Sequence, residues 1–155
     1  MQRIHSLFTL WFYSINWANL NENSRFYTIQ GKFLSDIKVN SQVLLEALTK
    51  REKLGSTAVG NGIAIPHANC PDIDKPKVFV ALLSNSLDFN ANDDQPVDII
   101  FLLLAPDNSG SEHLQALALV SRLLRNKELT TKLRGCKNTE SAFAVISQSV
   151  HEKAA

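Results

Sequence analysis

Residues 51–69 read REKLGSTAVGNGIAIPHAN, and they gather the residue types most able to do chemistry together. Arg51 opens the stretch and His67 lies near its end, directly after Pro66. Three of the chain's six glycines, Gly55, Gly60 and Gly62, lie between them. Beyond Lys53 the stretch carries no charged residue. A neutral imidazole is a usable nucleophile near neutral pH, because its ordinary pKa is about 6.5. A guanidinium is planar and matches phosphate geometry. Backbone N–H groups of a glycine-rich loop can form a concave anion site. Together these make a nucleophile beside an anion pocket, and His67 is the candidate to accept a phosphoryl group. Ser56, Thr57, Gly60 and Gly62 are candidate supports for phosphate binding.

His113 is the second candidate. It lies near the start of a helix after the turn Pro106–Gly110, where a helix N-terminus favours anions and the imidazole can donate to phosphoryl oxygens. Each residue also has a plainer reading. A lone histidine is more often a satisfied polar group than a catalyst, an arginine at a helix end is usually solvated, and Glu52 offers Arg51 a local partner. Serine and threonine in a glycine loop are commonly turn formers. Cys70, three residues after His67, could pair with it, but no recognisable group orients the histidine or binds an oxyanion. Gly-x-x-x-x-Gly-Lys-Ser/Thr is absent, so no nucleotide phosphate loop is expected. His67 and His113 have no i, i+4 partner, so no zinc site is expected, and no cofactor enters the reading.

The elements that must position these residues are legible from residue 41 onward. Ser41 can cap a helix in which Val43, Leu44, Ala47, Leu48 and Arg51 follow helical spacing, and Gly55 stops it. This puts Arg51 in the last turn, beside the glycine-rich loop. Ile63–Ile65 is a short strand ended by Pro66. Two continuous apolar runs, 78–83 and 97–105, suit central strands, with a polar loop at 84–96 between them. A helix from Ser111 shows Leu114, Leu117, Ala118 and Leu124 on one face, widened by Ala116, Val120 and Leu123. A second helix covers 128–133 and stops at Gly135, and Thr139 caps a last one. The order helix, three strands, three helices indicates an α/β domain with a small mixed β-sheet flanked by helices. Residues 1–40 are poorly legible, with an apolar run at 7–13, an Asn-rich break at 16–25 and a short strand at 26–29. Residues 41–148 form the domain and 149–155 a tail that holds His151.

The bulk numbers bound the function. A chain of 155 residues is expected to be one domain with a sizeable core. A net charge of +1 implies no nucleic-acid partner. Two cysteines, Cys70 and Cys136, have no metal or redox spacing and fit a reducing compartment. The run at 7–13 is shorter than the roughly 20 residues needed to span a bilayer, so no membrane insertion is expected and the protein reads as cytoplasmic.

The segment 52–68, with Val59-Gly60 and Ile63-Ala64-Ile65-Pro66-His67-Ala68 at their spacing, resembles the phosphohistidine motif of the type-2 EIIA domains. These are the mannitol/fructose-class carriers of the bacterial phosphoenolpyruvate-dependent phosphotransferase system. Residues 89–101 and 113–124 look most like the nitrogen-regulatory member, and the resemblance spans about 41–148. It implies that His67 is the phosphoryl acceptor, steadied by Arg51 and His113, and that an HPr-type phosphocarrier protein is the donor. Downstream it implies either a regulatory protein or, for a sugar-specific EIIA, an EIIB domain of a permease. A binding module that has lost phosphorylation is the remaining alternative. The chain departs from the family before residue 41, where a first helix rich in lysine and small apolar residues is usual.

Overall fold

The computed structural model describes residues 14–15, 41–71, 77–107, 110–137 and 139–154. The expectations for 7–13, 16–25 and 26–29 lie outside these residues. The described strands form one mixed sheet: β1 (Ser14–Ile15), β2 (Ala58–Gly60), β3 (Ile63–Ala64), β4 (His67–Asn69), β5 (Lys77–Leu87) and β6 (Val97–Ala105). The helices are α1 (Ser41–Lys53), α2 (Ser111–Leu124), α3 (Lys127–Arg134) and α4 (Thr139–Ala154).

β6 is the spine. It pairs antiparallel with β5 on one side and parallel with β3 and β4 on the other. Every residue of β6 is buried except the half-buried Asp98, which is why its sequence runs apolar without alternation. On one face Ile99, Phe101 and Leu103 join Val78, Val80 and Leu82 of β5 and the buried side of α2, α3 and α4. Ile100, Leu102 and Leu104 are equally buried, as is Leu48 of α1, the helix that packs against β4. Each such apolar side chain contributes about 1.5–3 kcal/mol on burial.

Three expectations are corrected. β5 does not end at Leu83 but runs to Leu87, which pairs with Val97 beyond an irregularity in register. The polar Ser84-Asn85-Ser86 segment reads as loop, yet a strand with a solvated side accepts such residues, and Ser86 is exposed. On α2 the buried residues are Ala116, Val120, Leu123 and Leu124, whereas Leu114 is 68 % exposed. The helix is thus rotated toward Ala116, Val120 and Leu123, the residues that widen the expected apolar face. Finally, α4 continues to Ala154, so most of 149–155 is helix rather than tail.

Candidate functional site

The histidine is mounted on the spine. β3 and β4 run along β6 with the same register offset, Ile63 opposite Ile99 and His67 opposite Leu103. The ladder lapses between them because Pro66 has no N–H to give, although its carbonyl still accepts from Leu103 N at 2.9 Å. His67 therefore opens a new strand instead of following the end of one. Alternation buries Ala68 and places His67 and Asn69 on the same side of β4. Asn69 stands opposite Ala105, the last residue of β6. The chain then turns through Pro106 and Gly110 into α2, which brings His113 back beside β4.

The protonation of the His67 ring follows from its bonds. Nδ1 lies 2.8 Å from the carbonyl oxygen of Ile65. A carbonyl can only accept, so Nδ1 carries the hydrogen and the Nε2 lone pair is left for other work. Arg51 Nε–H donates to that Nε2 at 3.3 Å. The same guanidinium donates through Nη1 to the Gly55 carbonyl at 2.9 Å, which fixes its plane at the end of α1. The ring of His113 meets His67 edge-on, with centroids 5.7 Å apart and an interplanar angle of 85°. Burial, and secondarily the charge of His67, lower the pKa of His113 below its ordinary value. The N-cap of α2 is Gly110, which offers no side-chain cap to the first-turn N–H groups. An anion at this end of the helix would meet those groups and the positive end of the dipole.

The structure brings Arg51, His67 and His113 together and places the other candidates elsewhere. The Ser56 hydroxyl donates to the Phe89 carbonyl and accepts from Ala58 N at 3.1 Å. Thr57 is buried, with its hydroxyl on Glu52 Oε2 at 2.8 Å and its N–H on Glu52 Oε1 at 3.1 Å. Glu52 is therefore the clasp between α1 and β2 and not a partner for Arg51. Gly60 and Gly62 take positive φ values of 96° and 79° around the β2–β3 turn. A side chain at Gly62 would meet Arg134 and Asp98, and one at Gly60 would meet Asp93, so both glycines stand where the turn brings neighbours close. A hollow of about 730 Å³ lies by this turn, lined in part by Asn61, Asp98, Lys127 and Arg134. The hollow does not include His67.

Two contributors escaped the sequence reading. The Ile65 carbonyl, which sets the His67 tautomer, is backbone and leaves no mark in the side-chain pattern. Asn69, whose Oδ1 lies 2.8 Å from His113 Nδ1, shares the His67 side of a strand, and the i, i+2 spacing could have flagged it. Among the described residues, no cluster of His, Cys, Asp or Glu converges as a metal site, and no helix is long and apolar enough to cross a membrane.

Residues 27–149 match the family described as phosphoenolpyruvate-dependent sugar phosphotransferase system, EIIA 2. The chain is 44 % identical over 108 residues to a nitrogen regulatory protein of Bradyrhizobium diazoefficiens, covering 70 % of this chain and 71 % of that one. It is 34 % identical over 125 residues to a fructose-specific EIIA component of the phosphotransferase system of Haloferax volcanii, covering 77 % of this chain and 81 % of that one. The fold is that of the nitrogen regulatory protein IIA-Ntr crystal structure from Neisseria meningitidis, with a TM-score of 0.79 and 24 % identity over 93 % of this chain and 99 % of that one.

Proposed function

Because this chain belongs to the type-2 EIIA family of the phosphoenolpyruvate-dependent sugar phosphotransferase system, we propose that it carries a phosphoryl group on Nε2 of His67. The observation that carries this reading is the bond from Nδ1 to the Ile65 carbonyl, which leaves Nε2 as the nucleophilic nitrogen and aims it at Arg51. The donor is an HPr-type phosphocarrier bearing its own phosphohistidine. In the transfer, the P–N bond to the donor ring breaks, the donor nitrogen keeps the electron pair, and the Nε2–P bond forms. Positive charge develops on the His67 ring and is shared toward Nδ1–H, which already rests on a carbonyl oxygen. The Arg51 guanidinium moves its hydrogen bond from the nitrogen to the arriving oxygens. Positioning and charge stabilisation account for the acceleration.

The output is regulatory in this reading, which the 44 % identity to a nitrogen regulatory protein supports more than the 34 % identity to a fructose-specific component. The partner downstream is then a protein that distinguishes the phosphorylated from the free form, and in the sugar-specific alternative it is an EIIB domain. The test is label from phosphoenolpyruvate passed through the general phosphocarriers. Wild type should become an acid-labile, base-stable phosphoprotein, and His67→Ala should take no label. Stoichiometric labelling of His67→Ala would sink the reading. Passage of label onward to a fructose-class EIIB domain would favour the sugar-specific one.

A further inference from the structure

Asn69 has no part in that transfer, yet it holds the ring that packs edge-on against His67. Its Oδ1 lies 2.8 Å from His113 Nδ1. An amide oxygen only accepts, so in this arrangement Nδ1 carries the hydrogen of a neutral His113. The Nε2 of His113 then presents a lone pair, which would repel a phosphoryl oxygen. The amide of asparagine has a donor and an acceptor of nearly equal shape, and half a turn exchanges them. Asn69 is exposed, and its bond to His113 is its one side-chain hydrogen bond among the described residues, so nothing else there fixes which way it faces.

We propose that Asn69 is a positioning residue that sets which nitrogen of His113 bears the hydrogen, turning its amide when His67 is phosphorylated. With Nδ2–H donating to His113 Nδ1, the single hydrogen of the neutral ring passes through solvent to Nε2. Nε2–H then donates to a phosphoryl oxygen on His67, whose ring is 5.7 Å away. No net proton is taken up, so the donor is available even though burial disfavours the imidazolium form of His113. Aspartate at this position could only accept, and lysine could only donate. The proposal rests on the reading of His67 as the phosphoryl acceptor.

The titratable and charged groups described around His113 are His67 from β4 and, through it, Arg51 from α1. The discriminating variant is Asn69→Asp, which an exposed position tolerates. It locks the neutral His113 as Nδ1–H, so donation through Nε2 requires the imidazolium. Its rate of phosphorylation by the phosphocarrier should match wild type near pH 6 and fall about tenfold or more below it near pH 8.5, the worth of one hydrogen bond to a charged group. In ¹⁵N-histidine spectra at the higher pH, His113 of wild type should change from Nδ1–H to Nε2–H on phosphorylation, while the variant should keep Nδ1–H. Parallel pH profiles for the two proteins, or Nδ1–H in the wild-type phosphoprotein, would overturn the proposal and leave the carrier reading standing. A wild type that takes no label overturns both.

Discussion

Arg51 does two things with one guanidinium. Nε–H meets the His67 nitrogen while Nη1 is tied to the Gly55 carbonyl, so the group is held in plane at the point where charge would arrive. Lysine keeps the charge but offers a point rather than a fork, and it cannot make both bonds in one geometry. Arg51→Lys is therefore expected to slow phosphorylation of His67 by about 10²-fold, the usual loss for one pre-organised donor, with no change in thermal midpoint. Single-turnover rates with a phosphorylated HPr-type donor would measure it. Unchanged rates would mean that the guanidinium stands beside the histidine without acting on it.

At the scale of elements, the β2–β3 hairpin is secured from three sides. Asp93 Oδ2 accepts from Asn61 N at 2.9 Å, and Arg134 donates to the Asn61 carbonyl and to both oxygens of Asp98. The Asp98 and Ile99 amides both donate to the Gly62 carbonyl. A Cβ at Gly62 would stand 2.8 Å from Arg134 Nη2 and 3.0 Å from Asp98 Oδ1, at a φ of +79°. Gly62→Ala should cost about 1–3 kcal/mol in urea unfolding from backbone strain alone, and displacement of the ion pair adds to it. Phosphorylation of the folded protein at His67 should persist, because this turn does not touch the histidine. The glycines were legible as a loop, but the partners that pack against it, Asp98 and Arg134, are 36 and 72 residues downstream of Gly62. The same holds at the site. Arg51 and His67 were legible because they share one motif, and β6 because a run of nine residues with one charge has only the interior to go to. Asn69 with His113, and Glu52 with Thr57, were not, because a hydrogen-bond partner is chosen by packing and leaves no periodicity. The burial phase of α2 was misjudged at Leu114 for a related reason: apolar residues lie nearly all round that helix, so the core and not the pattern chooses the face.

For the whole molecule, the two described groups with shifted pKa values give stability a pH dependence whose sign can be worked out. His113 binds protons less readily folded than unfolded, through burial first and the charge of His67 second. Above its unfolded pKa of about 6.5 the two states bind alike, and as pH falls below that value the unfolded state gains protons first and stability declines. Asp93 is also lowered, chiefly by the Asn61 amide and then by the Gln95 amide, so its contribution is lost only as pH falls below the ordinary carboxylate value of 3.8. Urea midpoints for wild type should therefore fall between about pH 7 and pH 5, and His113→Gln should fall less steeply over the same interval. Identical slopes would show that His113 is as free to protonate folded as unfolded.

The unbroken register between residues 63–69 and β6 has a consequence for how this protein can change length over evolutionary time. Side chains on a strand alternate, so one residue inserted or deleted between Ala64 and His67 would swap the sides taken by His67 and Ala68, sending the imidazole inward and a methyl group out. No later substitution could repair that, since the neighbouring β6 is itself immovable in the core. Residues 65 and 66 can thus exchange side chains but not number, and the spacing from strand to histidine is the trait that descent must copy most faithfully.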